Sequence, residues 1–450
     1  MSAPRTWLDS RYGAVAALVV LFGALVWPVI LGGGGGTSEA KDQLNYHLPA
    51  IEGMVDQWPW IDVVNYPSST APGYHFLMAT LSRFVSCDPM VLQLASSLLS
   101  LGFLLVVWHH AARLVRPGAA LALVLPLLAS SYVLGAAIWL DTDNAALLFV
   151  ALALGGSALV EATPLGGFRL ALYGTAAVLV RQIHIWVAGP VLLVALLSTR
   201  RGGRLLERFT PPRGAPWTRR ALIVVLAAVA LPFALLAVMI WLWGGLTPPA
   251  YADVHGGGIN LAVYPLVLAL VGGFGIFFLP AFGSMDPRPW MRDWLLWVAI
   301  GLALVLSLAV PTDFDREAGR WGGAIWELVR HLPAPGGRSV VFCPLAVLGA
   351  VVLVRAWRAA GQAGRGYEAA LLLLALLGWV ICQSVNTQAW QRYCEPIILV
   401  GLAWLAALAR SPGVPAGAAP QTGRWWLGPV ALGVVQLGLS GYSVYLRVIG

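Results

Sequence analysis

Residues 221–243 read ALIVVLAAVALPFALLAVMIWLW, a run without a single charged side chain. A helix of this length measures about 35 Å, which is enough to cross the roughly 30 Å hydrocarbon core of a bilayer. Comparable apolar runs recur from end to end of the 450-residue chain, which is 59% hydrophobic and 11% charged. Because soluble domains carry about 25% charged residues, the sequence predicts an all-α, polytopic membrane protein.

The apolar runs predict about 13 transmembrane helices. They lie near 13–31, 90–112, 119–139, 144–161, 168–181, 184–198, 221–243, 261–283, 292–311, 339–357, 367–384, 393–409 and 425–446. A further stretch, 74–86, is too short to span and is predicted to be an interfacial or re-entrant helix. Two short spans, 168–181 and 184–198, are expected to meet at a polar break, where Arg181, Gln182 and His184 lie.

The arginines predict which side each loop faces. If 74–86 does not span and the N-terminus is cytoplasmic, 19 of the 28 basic residues fall on the cytoplasmic side, including the basic loop 199–220. That distribution obeys the positive-inside rule, so the basic excess is a topology signal and predicts no nucleic-acid partner. We expect one membrane domain, 1–450, with outer loops at 32–89 and 312–338. The same assignment places 14 of the 20 acidic residues outside.

The long first outer loop carries the first group of candidate residues. Residues 42–50 read DQLNYHLPA and residues 66–75 read YPSSTAPGYH. Carboxylate, imidazole and phenol groups in one loop can perform acid–base chemistry, which makes Asp42 the candidate catalytic residue. The competing interpretation is that Asp42 only caps the helix predicted from Leu44 to Met54.

Two further polar motifs lie close to the predicted outer membrane surface. Asp141 and Asp143, in the stretch DTDN, are paired carboxylates that can bind a divalent cation or take part in acid–base work; alternatively they cap the helix 144–161. Arg181 and His184 lie at a break at membrane depth, where ionisable groups are functional by default. Later outer loops add three candidates, Asp253, His255 and Arg392.

These motifs resemble the GT-C superfamily of membrane glycosyltransferases that use lipid-phosphate sugars. In that superfamily an acidic residue lies in a long first outer loop and a second acidic motif follows the third span. The nearest resemblance is to the dolichyl-phosphate-glucose α-1,2-glucosyltransferases. Three stretches carry it: His47-Leu48-Pro49 with STAPGY at 69–74, RQIHIWV at 181–187, and His255-Gly256-Gly257. One departure is Gln43, where the family has a Glu.

The resemblance implies transfer of a hexose, with glucose as the sugar of the nearest family, from a polyprenyl-phosphate donor to a glycan or lipid-linked acceptor. It implies an inverting reaction with Asp42 as general base. The implied substrate-binding residues are His47, Tyr74, His75, Asp141, Asp143, Arg181, Gln182, His184, Asp253, His255 and Arg392. No cofactor is required, and a divalent cation at Asp141 and Asp143 is left open. Membrane lipids are the remaining expected partner.

Two other functions fit the same composition. A transporter or flippase for a lipid-linked saccharide would place polar groups near the bilayer midplane, in broken helices and repeated halves. Here the candidate polar residues gather in the predicted outer loops, and no internal repeat is visible. A non-catalytic scaffold is the other alternative. The Ala-, Gly- and Arg-rich, lysine-poor composition favours a bacterial plasma-membrane protein with an extracytoplasmic active site.

Overall fold

A computed structural model describes residues 7–33, 37–159, 164–197, 218–252, 258–283, 288–312, 322–411 and 423–445. Within these ranges every regular element is a helix and there is no strand, which confirms the all-α prediction. The α-helices are α1 Arg11–Leu31, α2 Ser38–Asp42, α3 Leu48–Asp56, α4 Gly73–Phe84, α5 Pro89–Ala112, α6 Pro117–Leu128, α7 Ser131–Ile138, α8 Asp143–Leu159, α9 Pro164–Val180, α10 Ala188–Leu197, α11 Arg219–Trp243, α12 Val263–Gly275, α13 Arg288–Met291, α14 Trp294–Ala309, α15 Ala324–Arg330, α16 Phe342–Gln362, α17 Gly366–Gln383, α18 Gln391–Arg410 and α19 Leu427–Ser440.

All thirteen predicted apolar runs form helices, but they are not equally long. In the part of the chain that the structure describes, eight helices are long and apolar enough to cross a bilayer, and α6 with α7 makes a ninth if the pair is one broken span. Four shorter apolar helices, α8, α9, α10 with the turn before it, and α14, account for the rest. A helix of 16 residues measures only about 24 Å. The chain is therefore an integral, multi-pass membrane protein.

The segment between α1 and α5 is a chain of short helices. A π-turn, Gln43–His47, joins α2 directly to α3. The stretch predicted as a short helix at 74–86 forms α4, whose 12 residues reach about 18 Å and cannot cross a bilayer. These helices share a buried core with the start of α8, formed by Ala50, Ile51, Met54, Tyr66, Tyr74, Met78, Ala79, Leu92, Leu140, Ala145, Ala146 and Val180.

The chain divides into two compact units. The first comprises Met1–His109, Leu128–Gly256 and Val435–Gly450, and the second comprises His110–Leu127 and Gly257–Val434. In the first unit, α4 approaches the end of α9 so closely that a Cβ at Gly73 would lie 2.6 Å from the carbonyl oxygen of Leu179. In the second unit, α12 and α16 meet at Gly272 and Gly349, where any Cβ would overlap the facing backbone. Small residues at such crossings are usual in membrane helix pairs.

Candidate functional site

Asp42 lies inside a nearly continuous helical segment rather than ahead of one. Thr37 caps α2, with its hydroxyl accepting from the Ala40 N–H at 3.1 Å. Asp42 ends α2 with helical backbone angles, and its side chain makes no capping hydrogen bond to the following π-turn. The capping interpretation of Asp42 is therefore wrong. The π-turn that follows, closed by the Leu48 N–H on the Gln43 carbonyl, is of a kind often found at functional sites.

Gln43 fastens this segment to the start of the Asp141 motif. Its Oε1 accepts from the buried Leu140 N–H at 2.8 Å and from Gln93 Nε2 at 3.0 Å. The Gln43 side chain is itself buried. A second contact supports the same docking, because Glu39 of α2 packs against Gly135 of α7. The helix that carries Asp42 is thus held against a turn 97 residues further along the chain.

Asp141 is buried at the start of α8. One of its oxygens, Oδ1, accepts a hydrogen bond from the Asp143 N–H at 2.8 Å. Asp141 therefore caps the start of α8, as the alternative interpretation of this motif predicts. Tyr74 of α4 lies beside it and donates its hydroxyl to Ser96 Oγ at 2.9 Å. Burial, and after it the negative charge of Asp141, raises the pKa of Tyr74. The predicted residues Tyr74 and Asp141 are therefore neighbours.

Asp143 forms an ion pair with Arg181, and both side chains are more than four-fifths buried. The pair unites the predicted acidic motif with the predicted polar break. Arg181 has extended backbone angles between α9 and a 3-10 turn, Gln182–Val187, which confirms a break at this point. His184 is buried in that turn, and its Nδ1 has no hydrogen-bond partner among the described residues.

Gln182 joins three separate parts of the first unit. Its Nε2 donates to the carbonyl oxygens of Ser69 and Leu246, both at 2.9 Å, and its Oε1 accepts from the Ala71 N–H at 2.9 Å. Both amide hydrogens and the amide oxygen are thereby used on backbone groups, which gives Gln182 a positioning role. Trp243 adds a parallel link by donating its Nε1 to the carbonyl oxygen of Val63 at 2.9 Å.

His47 and His75 lie in direct contact, deep in the loop core. The His47 Nδ1 and His75 Nε2 atoms are 2.8 Å apart, and the two rings are inclined by only 18°. The other nitrogen of His75, Nδ1, is hydrogen-bonded to the Tyr66 hydroxyl. His75 and Tyr66 are fully buried, whereas His47 is 8% exposed. Burial, with the positive charge of His47 as a second cause, lowers the pKa of His75 well below its usual range.

Three further residues were predicted from the sequence. Asp253 and His255 lie outside the described residues. The neighbouring Tyr251 packs edge-on against Tyr46 and donates its hydroxyl to the Pro67 carbonyl oxygen at 3.1 Å. Arg392 belongs to the second unit, where its guanidinium lies over the Trp390 and Tyr393 rings at 4.8 and 5.0 Å.

The two carboxylates of the DTDN motif do not assemble a cation site from the described residues. Asp143 is paired with Arg181, and Asp141 Oδ1 accepts a backbone N–H. No group of three or more His, Cys, Asp or Glu side chains in the described ranges is placed to hold a metal ion. Divalent cations require several oxygen ligands, so the described donor set at Asp141 and Asp143 does not fit one.

The structure thus gathers Asp42, the DTDN motif, the polar break and the histidines of the first loop into one unit. Sequence reasoning missed two residues that organise it, Gln43 and Tyr66. The sequence distinguishes Gln43 only as a departure from the resembled family, which has a Glu at this place. Tyr66 stands in the quoted loop nine residues before His75, and a phenol close to two histidines was the available signal.

Comparisons with known proteins give distant similarities. No protein-family model and no curated protein matches the chain. Among solved structures, ArnT from Cupriavidus metallidurans in the apo state is 17% identical over 88% of this chain and 78% of that one, with a TM-score of 0.37. The same protein bound to undecaprenyl phosphate is 16% identical, covering 97% and 88%, with a TM-score of 0.39. The oligosaccharyltransferase AglB from Archaeoglobus fulgidus, in complex with an inhibitory peptide and a dolichol-phosphate, is 14% identical, covering 98% and 55%, with a TM-score of 0.44. The chain spans about half the length of this last protein.

Proposed function

We propose that the protein is a membrane glycosyltransferase that transfers a hexose from a polyprenyl-phosphate sugar to a glycan or lipid-linked acceptor. One observation carries the proposal. Gln43 holds the helix of Asp42 against the DTDN motif, and Asp143 of that motif pairs with Arg181. A candidate base and a candidate phosphate-binding cation are therefore parts of one connected set of side chains.

The chemistry needs a base more than an acid. A phosphate is already a good leaving group, whereas the acceptor hydroxyl must lose its proton as it attacks the sugar carbon. Asp42 is partly exposed and so can reach a substrate. In an inverting transfer the hydroxyl attacks opposite the phosphate, and Asp42 takes its proton.

Arg181 serves the departing phosphate. A planar guanidinium with five donors can bind a phosphate bidentately and still keep a second partner. The ion pair with Asp143 fixes its direction before substrate arrives, and preorganised charge of this kind lowers the barrier where negative charge develops. We assign His184 to the same phosphate region, and His255 and Arg392 to substrate binding.

The donor sugar is proposed to be glucose because the nearest resemblance is to a glucosyltransferase family. The acceptor site is proposed to face the extracytoplasmic side, as the distribution of arginines predicts. Gln43, which replaces the Glu of that family, uses its side chain to bind Leu140 and Gln93. The acceptor and linkage of this protein are therefore proposed to differ from those of the family.

A transfer assay with Asp42→Asn tests the proposal. Purified protein in lipid nanodiscs is mixed with radiolabelled undecaprenyl-phosphate and dolichyl-phosphate hexoses and with lipid-linked saccharide acceptors. Wild type is expected to form a glycosidic product, and Asp42→Asn to lose about 100-fold or more of that rate, the usual contribution of a general base. Asp56→Asn, in the same loop and exposed at the end of α3, is the matched control and is expected to keep full activity.

Two results contradict the proposal in different ways. If Asp42→Asn transfers sugar at the wild-type rate, Asp42 is not the general base, although the protein is still a glycosyltransferase. If wild type makes no product from any donor, but moves a lipid-linked saccharide across proteoliposome membranes, the protein is a transporter instead.

A further inference from the structure

The buried histidine pair of the first loop continues into a chain of hydroxyl groups. We propose that His47, His75 and Tyr66 form a proton relay that accepts the proton taken up by Asp42 and passes it to Ser68 and Thr70. The relay rests on the proposed glycosyl transfer for the source of its proton. It reassigns His47 and His75 from substrate contact to proton transfer, and it adds Tyr66.

The first link of the relay is the bond between the two rings. The His47 Nδ1 and His75 Nε2 atoms lie 2.8 Å apart in rings inclined by 18°, so a hydrogen on either nitrogen points at the lone pair of the other. Each neutral imidazole has one donor and one acceptor nitrogen. A proton can therefore cross this bond with both rings neutral before and after, provided that His47 gains a proton at Nε2 and His75 loses one at Nδ1 in the same event.

The second link runs from His75 to the hydroxyl groups. His75 Nδ1 is hydrogen-bonded to the Tyr66 hydroxyl. The Ser68 and Thr70 hydroxyls, whose oxygens are 3.1 Å apart, are close enough to this phenol to lower its pKa against the larger effect of burial. Hydrogen bonds thus run from His47 through His75 to Tyr66, and the Ser68–Thr70 pair lies next to the end of this chain.

Burial keeps the middle of the relay in the state that a relay requires. His75 is fully buried, and the ionisable groups around it are His47 on the π-turn, Tyr66 on the loop and Tyr74 on its own helix, with Asp141 beyond Tyr74. Burial lowers the pKa of His75 and raises that of Tyr66. Both groups are neutral near pH 7, so each can accept one proton and donate another.

The two ends of the relay lie where the proposed reaction needs them. His47 ends the π-turn that begins directly after Asp42, and its ring is the less buried of the two. At the other end, Gln182 binds the backbone of Ser69 and Ala71. Because Gln182 directly follows Arg181 in the chain, these bonds hold the 68–71 segment close to Arg181. The proposed relay therefore begins five residues after the base and ends in the loop beside the proposed phosphate-binding side chain.

The proton count closes. Transfer from a phosphodiester donor to a hydroxyl acceptor gives the glycoside, a lipid phosphate monoester and one proton. That proton passes from Asp42 to His47 Nε2, and His47 gives its Nδ1 proton to His75 Nε2. His75 then gives its Nδ1 proton to Tyr66, whose own proton moves through Ser68 or Thr70 to water or to the departing phosphate. Asp42 is again a carboxylate and every relay group has the number of protons with which it began.

Nitrogen NMR of the seven histidines tests the relay without any substrate. Full-length protein labelled with 15N-histidine is compared in detergent as wild type, Tyr66→Phe and Tyr445→Phe. In wild type we expect His75 to stay neutral where an ordinary histidine already takes up a proton, because burial lowers its pKa, with one nitrogen coupled to His47 across the hydrogen bond. Tyr66→Phe removes the partner of Nδ1 and is expected to shift that resonance. Tyr445→Phe, which loses a hydroxyl bonded to the Leu25 carbonyl at 2.9 Å, is expected to leave it unchanged.

Kinetics supply the second readout once a donor is found. Tyr66→Phe is expected to lower kcat roughly tenfold, with KM unchanged and a larger solvent deuterium isotope effect, because general acid–base assistance contributes to the rate. An effect on KM alone, or a His75 that titrates with an ordinary pKa and no coupling to His47, overturns the relay. If the NMR result is as expected but the protein turns over no donor, the hydrogen-bonded chain exists and the proposed glycosyl transfer is wrong. The proposal that the relay takes its proton from Asp42 is then wrong as well.

Discussion

The bond between Gln43 and Leu140 offers the sharpest test of how the site is assembled. The change is Gln43→Ala, which leaves the Leu140 N–H without its acceptor and Gln93 without its partner. Leu140 is fully buried, so water cannot replace the lost oxygen without opening the loop. A buried donor left unpaired costs about 1–3 kcal/mol. The lost bond to the half-buried Gln93 adds about 0.5–1.5 kcal/mol.

Hydrogen–deuterium exchange of the Leu140 amide measures the first of these energies directly. A local opening made easier by 1–3 kcal/mol exchanges about 5- to 150-fold faster. Peptides that contain Leu140 are followed by mass spectrometry in detergent micelles at one pH. Gln43→Glu is the matched variant, since its carboxylate keeps an acceptor at the same place and is expected to preserve protection. Gln93→Ala removes only the weaker bond and is expected to change the rate severalfold at most.

The reasoning is refuted if Leu140 exchanges at the wild-type rate in Gln43→Ala. It is also refuted if Gln43→Glu and Gln43→Ala are equally unprotected, because the acceptor oxygen would then not be the source of the protection.

Three further predictions concern other contacts of the first unit. Arg181→Ala is expected to destabilise the protein by about 1–3 kcal/mol, because it leaves the largely buried Asp143 carboxylate unpaired. The double variant Arg181→Ala with Asp143→Asn is expected to recover part of that stability, as measured by thermal unfolding. Stability is expected to fall as pH drops below about 6.5, the ordinary histidine pKa. The pKa of His75 is lowered in the folded state, so the unfolded chain binds more protons there and acid favours unfolding; His75→Gln should flatten this acid limb. Gly73→Ala is expected to cost about 1–3 kcal/mol because the added Cβ meets the Leu179 carbonyl oxygen.

Each of these has a clear opposite outcome. A double variant no more stable than Arg181→Ala would show that the two charges do not depend on each other. If the stability of His75→Gln still falls below about pH 6.5, groups other than His75 cause the loss of stability in acid. A Gly73→Ala protein with an unchanged unfolding midpoint would mean that α4 and α9 can separate without loss.

The helices were largely predictable from sequence because lipid imposes long apolar runs, and all thirteen runs formed helices. The break between the two short runs 168–181 and 184–198 was also predicted, and Arg181 has extended backbone angles there. The division of the run 119–139 into α6 and α7, which are bent by 77°, was not predicted. The position of Asp42 was missed for a local reason. Residues 38–42 are polar and follow a glycine run, so no apolar periodicity marks the helix that Thr37 begins.

The arrangement of the candidate site was only partly predictable. Sequence placed Asp42, Asp141 and Arg181 on one side of the membrane, but it gave no sign that Asp143 pairs with Arg181. The bonds of Gln43 and Gln182 join residues 50 to 113 positions apart, and a single glutamine in a sequence does not reveal its partner. Such contacts depend on tertiary packing, which local composition does not encode.

The contact between Trp243 and Val63 sets an order of events during synthesis. The two residues are 180 positions apart. At 5–20 residues per second the ribosome needs roughly 10 to 40 s to make the intervening chain. During that interval the first loop is already made but lacks the tryptophan that closes over it, and the backbone oxygen of Leu246 has not yet reached Gln182. A nascent chain stopped before α11 would therefore have a first loop that lacks both of these bonds.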